Sequence, residues 1–550
     1  MKSRRRRFML ALLVLAIVAV TIPAAHSQTF SVLYNFGTNS GDPTNPFYSG
    51  IIAQGRDGNM YSTATTGGAH GVGAMFSITP TGILTVPYSF DSPYSPYSGL
   101  VMGTDGNFYG TTRGALSSDL QNVFKITPSG TLTVLHNLIG SYGSAPFAPP
   151  IQGVDGNFYG TTAEAGTYNL GTVYKVTPTG TFTTLYSFDG THGEYPADPL
   201  VQGTDGNFYG TTWQGGTFNY GVVFKITPSG KLTTLYSFDS THGESPYDPL
   251  VQGIDGNFYG TTAGGGTSNY GVLFKITASG TLTVLHNFES PDGIYPYAGL
   301  VQATDGNFYG TTYLGGPSSL GTIFTISPLR PYTYKVLYNF GNTTGTGAYP
   351  LVTLFQHTNG ILYGDTFQGG GSAGVNCAVG ACGIFYSLDM GLRPFAHLVS
   401  PSGKVGKSID ILGQGFTGTT GVSFNGTTAN FKVSSDTYLT ATVPTGATTG
   451  TVTVTTPGGP LTSNKKFRVT PQVLSFHPTS GKVGTPVTIT GLSLTQTIKL
   501  TFGGVKATIF TVTSNTQVTA NVPTGAKTGK IAITTPGGAA VSSGVFTVTQ

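Results

Sequence analysis

Two stretches stand out in a 550-residue chain of which only 9% is charged. Thr191-His192-Gly193-Glu194 is followed by Asp198, and fifty residues later Thr241-His242-Gly243-Glu244 is followed by Asp248. Three readings compete. The residues can be solvated loop positions. They can hold a cation or polar ligand, since carboxylates suit hard cations and imidazoles softer ones. Or Glu194, Asp198, Glu244 and Asp248 can supply the acid and base that cleave a glycosidic bond. Trp213, the chain's single Trp, lies in a Gly-rich loop, where it either stacks on a sugar ring or caps packed strands. Arg113 and Tyr313 occupy the equivalent place in other repeats. No P-loop, dinucleotide fingerprint, nucleophile elbow or zinc spacing occurs, and no cofactor or metal is expected.

The elements that position these residues recur. Asp-Gly-Asn begins at Asp57, Asp105, Asp155, Asp205, Asp255 and Asp305, in steps of 48 and then 50 residues, with a degenerate copy ending in Tyr363-Gly364. A period of that size signals a propeller or solenoid. Residues 199–238 read as four short strands: Pro199 to Gly203, Phe208 to Trp213, Val222 to Ile226 and Leu232 to Phe238. Alternating apolar residues punctuated by Asp-Gly and Pro-x-Gly predict antiparallel hairpins, and four strands per unit match a propeller blade. Hairpin turn chemistry explains Asp-Gly-Asn, because an EF-type calcium loop needs further acidic ligands.

Seven first strands and seven third strands can be counted, but only six fourth strands. The missing one is at the front, where Phe30-Ser31-Val32-Leu33-Tyr34-Asn35-Phe36 matches Val336-Leu337-Tyr338-Asn339-Phe340. The N-terminal strand is expected to complete the seventh blade and remove exposed edges. The unit Leu-Val-Gln-Gly-Thr-Asp-Gly-Asn-Phe-Tyr-Gly-Thr-Thr, then Gly-Gly, then Phe-Lys-Ile-Thr-Pro-Ser-Gly, resembles the bacterial GloVer (Gloeo/Verruco) tandem repeat over residues 30–390. That resemblance implies no agreed activity.

After Met390 a second pattern doubles. Pro401-Ser402-Gly403-Lys404-Val405-Gly406 returns as Pro478 to Gly484, and Thr456-Pro457-Gly458-Gly459 as Thr535 to Gly538. The copies resemble the IPT/TIG family, which implies two immunoglobulin-like sandwiches serving as spacers or docking modules. The expected fold is all-β: a seven-bladed β-propeller over 28–393, then IPT/TIG domains at 394–469 and 470–550.

Residues 1–27 read as a signal peptide, with Lys2 and Arg4 to Arg7 ahead of an apolar run and Ala25-His26-Ser27 before the cleavage point. Removing those five cations leaves 21 of the 26 basic residues against 22 acidic ones, a net charge of −1. That balance gives nucleic acid and anionic membranes no basic surface. No later run is long and apolar enough to span a bilayer. Cys377 and Cys382 share one Gly-rich loop, and a local disulfide is expected in an exported protein.

The turns after first and third strands are tight and alike. The loops after second strands, and those between blades, vary and share the opposite face, where binding residues belong. Before each first strand recurs a ring of Phe47, Tyr97, Phe147, Ala197, Tyr247, Tyr297 and Tyr349, read as blade-to-blade packing. The expected function is a secreted or cell-surface, non-catalytic binding protein. Its partner would be a polysaccharide or another surface protein. A polysaccharide hydrolase or lyase and a structural matrix component are the alternatives.

Overall fold

The computed structural model describes residues 28–550 apart from 47–50, 93, 114–120, 139, 141–142, 342–344 and 371–381. No α-helix occurs among the described residues. Each repeat forms an antiparallel sheet whose strands follow chain order. Val201–Gln202, Phe208–Thr212, Val222–Ile226 and Leu232–Ser237 make one such sheet. The inner strand is shorter than the sequence suggests, at two residues. The two middle strands are buried on both faces, so they read as apolar and Thr-rich runs rather than clean alternation. Gly210 is required by packing, since a β-carbon there would lie 2.8 Å from the Phe224 ring.

Among the described residues seven such sheets follow one another, and the N-terminal strand Thr29–Asn35 pairs antiparallel with Ile384–Asp389. Apolar clusters bridge every pair of consecutive sheets. A further cluster joins Ile52, Met60 and Phe76 of the first sheet to Val352, Tyr363 and Phe385 of the last. Among the described residues the sheets therefore form a closed cycle, each packed on the next.

A second set of joins runs around the cycle. The side-chain oxygen of Gln152, Gln202, Gln252, Gln302, Gln356 and Gln54 each accepts a backbone N–H from the preceding sheet, at 2.9–3.2 Å. The second sheet carries Met102 at that place. There the Arg56 guanidinium reaches across instead and donates to the carbonyls of Thr104 (2.8 Å) and Asp105 (3.4 Å). The Asp-Gly-Asn turns are closed by their own side chains: Asp205 accepts from the Asn207 backbone and amide and from the Tyr209 hydroxyl.

Two β-sandwiches follow. In the first, Ser408–Leu412 and Tyr438–Thr442 face Gly421–Phe424 and Val452–Thr456 across a core that includes Ile409, Phe424, Leu439 and Val454. Its alternating burial gives the period of a half-solvated sheet. The second repeats the plan around Val487, Ile489, Phe502 and Ile531. A reciprocal pair of hydrogen bonds links the two: Thr449 N–H donates to the Gln496 side-chain oxygen (2.8 Å), and the Gln496 amide donates to the Thr449 carbonyl (3.2 Å).

The first sandwich docks on the tight-turn face of the ring. Arg56 Nη2 pairs with Asp410 Oδ2 at 2.6 Å, its guanidinium lies 4.7 Å from the Tyr438 ring centroid, and Tyr438 donates to Asp410 Oδ1 at 2.9 Å. Thr437 donates to the Arg56 carbonyl, and Gln414 to the Thr358 hydroxyl. Gly58 is left-handed, and a β-carbon there would come within 2.7 Å of Thr437. The second sandwich carries Thr488, Gln517 and Thr516 in the places of Asp410, Tyr438 and Thr437, so the ionic anchor belongs to the first copy alone. Asp410→Ala leaves Arg56 half-buried without its anion. It is expected to weaken docking by about 1.5–3 kcal/mol, the range for charge-assisted bonds. Faster amide exchange confined to 405–440 and the Asp57 turn would register the loss.

Candidate axial ligand site

The variable loops converge on the face opposite the docked sandwich. In the fourth sheet Trp213 N–H bonds to the carbonyl of Tyr195, which ties the end of the second strand to the segment before the first. The same bond recurs from Ala263 to Ser245 and from Tyr313 to Tyr295. Asn45, Ala145, Tyr195, Ser245, Tyr295 and Tyr349 all hold a left-handed backbone, at φ of 48–58°. Such strain in non-glycine residues persists only where the surroundings enforce it. Here it bends each chain segment inward ahead of the short strand that follows.

Those inward segments line one central pocket. Its wall includes Phe147, Tyr247, Tyr297, Asp198, Asp248 and Thr353, contributed by five consecutive sheets. Phe147, Tyr247 and Tyr297 were expected to pack blade on blade. They do: Tyr97 meets Phe147 edge-on at 5.9 Å, and Tyr247 meets Tyr297 at 5.7 Å. Their ring positions at the axis make them pocket walls as well. The sequence signal for that second role is a ring position where large aromatics recur and where two neighbouring repeats place an acid next, Asp198 and Asp248.

Asp198 and Asp248 are 8% and 1% exposed. Each carboxylate accepts one hydroxyl from its own sheet, Thr211 at 3.0 Å and Thr261 at 2.6 Å, both through Oδ2. Burial pushes Asp198 up to about 7. Burial, and then the neighbouring Asp198, push Asp248 well above the ordinary carboxylate range.

The histidines do not join them. His192 Nδ1 lies 2.8 Å from Asp189 and His242 Nδ1 2.9 Å from Asp239, each within its own loop. Burial raises the Asp189 carboxyl, but the hydrogen bonds and charge of His192 together outweigh it and hold the carboxylate below its ordinary value. Glu194 and Glu244 pair by backbone with Gln214 and Gly264. Desolvation raises the Glu194 carboxyl. The loop cluster legible in sequence thus separates into exposed His–Asp pairs, half-exposed glutamates and two axial carboxyls. Among the described residues no group of three or more His, Cys, Asp or Glu is placed to hold a metal ion.

The remaining expected residues pack against rings of the pocket wall. Trp213 is 39% exposed and meets Tyr247 edge-on at 5.4 Å. Tyr313 sits between Tyr297 (5.6 Å) and Tyr349 (5.1 Å). The Arg113 guanidinium lies 4.7 Å from the Phe147 centroid and 5.3 Å from that of Tyr97. Cys382 is buried against the seventh sheet, while Cys377, Phe47 and the expected signal peptide lie outside the described residues.

These features define a repeat-built ring of β-sheets with an aromatic-rimmed axial pocket and immunoglobulin-like domains on its far side. The chain belongs to the Gloeobacter/Verrucomicrobia repeat family, whose profile matches residues 18–153 and 147–377, and it carries two IPT/TIG domains at 394–469 and 471–548. No curated protein matches it. Among solved structures, it is similar to a fungal alcohol oxidase of the AA5 family in complex with copper. Identity is 14% over 95% of this chain and 100% of that one, with a TM-score of 0.41. It is also similar to the extracellular domain of a hybrid two-component system from B. thetaiotaomicron, with 12% identity over 95% and 58% of the chains and a TM-score of 0.43. A surface glycan-binding protein from Prevotella bryantii aligns at 21% identity over 26% of this chain and 38% of that one, with a TM-score of 0.21. Among the described residues no helix is long and apolar enough to cross a membrane.

Proposed function

We propose that the chain is an exported binding protein, a seven-bladed propeller that takes a glycan on its open face. The two sandwiches serve as spacer or docking modules, residues 1–27 as the export signal, and Cys377 with Cys382 as a local disulfide. One observation carries this reading. Phe147, Tyr247 and Tyr297 line an axial pocket on the face that the first sandwich leaves uncovered, and Trp213 and Tyr313 pack on two of those rings. Aromatic rings offer flat apolar surface to the C–H face of a sugar, and the Asp198 and Asp248 carboxyls offer polar contacts at its end.

Half-exposed Trp213 and pocket-lining Tyr297 are the anchors of this reading. A glycan array on the full chain followed by titration is expected to find a saccharide whose affinity drops at least about tenfold in Trp213→Ala and in Tyr297→Ala, a typical anchor loss. Turnover of the bound saccharide would move the reading to a hydrolase or lyase. Binding that survives both substitutions would place the ligand elsewhere.

A further inference from the structure

The axial carboxyls are only half satisfied. Oδ2 of Asp198 and of Asp248 each accepts a threonine hydroxyl, while Oδ1 of each makes no hydrogen bond within the described residues. Both residues are more than nine-tenths buried, and both line the pocket. Among the described residues no Lys, Arg or His lines it with them. A buried carboxyl must either keep its proton or meet a counter-charge, because an isolated buried anion is too costly. Among the described residues the protein supplies no such counter-charge, so without a ligand the carboxyls hold on to protons, and a cationic ligand would let the pair ionise.

A hydroxyl donor from a neutral sugar would satisfy one Oδ1 and leave the pair without a charge partner. A divalent ion would need further ligands that this wall lacks. An ammonium group meets both needs: it has three N–H donors, one for each free Oδ1 and one to spare, and it carries the positive charge. The walls suit it too, since Phe147, Tyr247 and Tyr297 present aromatic rings around the carboxyl pair, and cations gain from such surfaces.

We propose that the axial pocket reads the ammonium group of an amine-bearing sugar, a deacetylated hexosamine, with Asp198 and Asp248 as its paired acceptors. This rests on the reading of the open face as a glycan site and names the ligand class for it.

The test compares a glucosamine tetramer with its N-acetylated counterpart by calorimetry on the full chain. The glucosamine oligomer is expected to bind at least about tenfold more tightly. Asp198→Asn and Asp248→Asn, which keep shape and an oxygen for the threonine hydroxyls, are each expected to remove that preference by lowering affinity for the glucosamine oligomer at least about tenfold. Retained melting temperatures confirm that the variants fold. Equal affinities for the two oligomers, or a preference that persists in both Asn variants, would overturn the ammonium assignment. Binding of neutral glycans that is lost in Trp213→Ala would then leave the glycan reading intact. If no saccharide of either kind binds, both fall.

Discussion

Deleting residues 28–36 is expected to abolish cooperative folding of the ring, although the segment makes up a small part of it. Thr29–Asn35 is the outer strand of the last sheet, paired from Thr29 opposite Asp389 to Asn35 opposite Ile384 with a register shift between Val32 and Tyr34. Its side chains reach three sheets. Phe30 stacks on Tyr338 of the sixth sheet at 3.8 Å and lies 5.1 Å from Tyr386 of the seventh. Phe36 meets Phe76 of the first at 5.4 Å, and its N–H bonds to the Gly383 carbonyl. Losing one large core side chain costs about 2–5 kcal/mol, so removing Phe30 and Phe36 with the strand between them approaches the ~5–15 kcal/mol that holds a typical domain together. The deletion also bares the edge of Ile384–Asp389, which invites aggregation. Thermal melting should show the cooperative transition lost or displaced far downward. A synthetic peptide of residues 28–36 added in trans should restore part of it by strand addition. An unchanged melting temperature would show that the ring does not depend on this strand.

Asp365→Thr is expected to stabilise the protein by about 1–3 kcal/mol at pH 7, the penalty for an unsatisfied buried polar group. The other six sheets place a threonine there: Thr63, Thr111, Thr161, Thr211, Thr261 and Thr311. Thr63, Thr111 and Thr161 spend their hydroxyls on carbonyls of the next sheet, those of Ser98, Pro146 and Asp198. Asp365 is fully buried, and among the described residues neither carboxyl oxygen finds a partner. Burial holds it well above the ordinary carboxylate range. A carboxyl whose folded value is raised keeps its proton in the folded state while the unfolded chain releases it near pH ~4. Stability from this group is therefore highest below that pH and falls as pH rises toward the folded value. Urea melts should show the gain of Asp365→Thr growing from pH 4 to pH 8. Equal midpoints for the two proteins across that range would count against the account.

Local physics made much of this architecture readable. Asp-Gly-Asn forms tight turns because its own side chains close it, as Asp205, Asn207 and Tyr209 do. Strand period and turn spacing repeat with the sequence, so the order of strands and the pairing of residues 30–36 with the last repeat could be read from neighbouring letters. The two sandwiches were legible for the same reason. The cluster at 191–198 and 241–248 was read as one group because its members are close in sequence. Alternation along a bent loop sends His192 to Asp189 at the rim and Asp198 to the axis.

What the chain's letters determined alone, then, was whatever depends on contacts a few residues apart: the turns, the strands and the repeat. Folding in three dimensions decided the rest. Only closure of the cycle brings Phe147, Asp198, Tyr247, Asp248 and Tyr297, spaced along the chain by about one repeat, around a single pocket. Only packing selects the tight-turn face for the first sandwich, because Arg56 crosses the one join that lacks its glutamine and meets Asp410 some 350 residues away. Contacts of that range leave no periodic mark in a sequence, since each is made once and rests on the geometry of the whole ring.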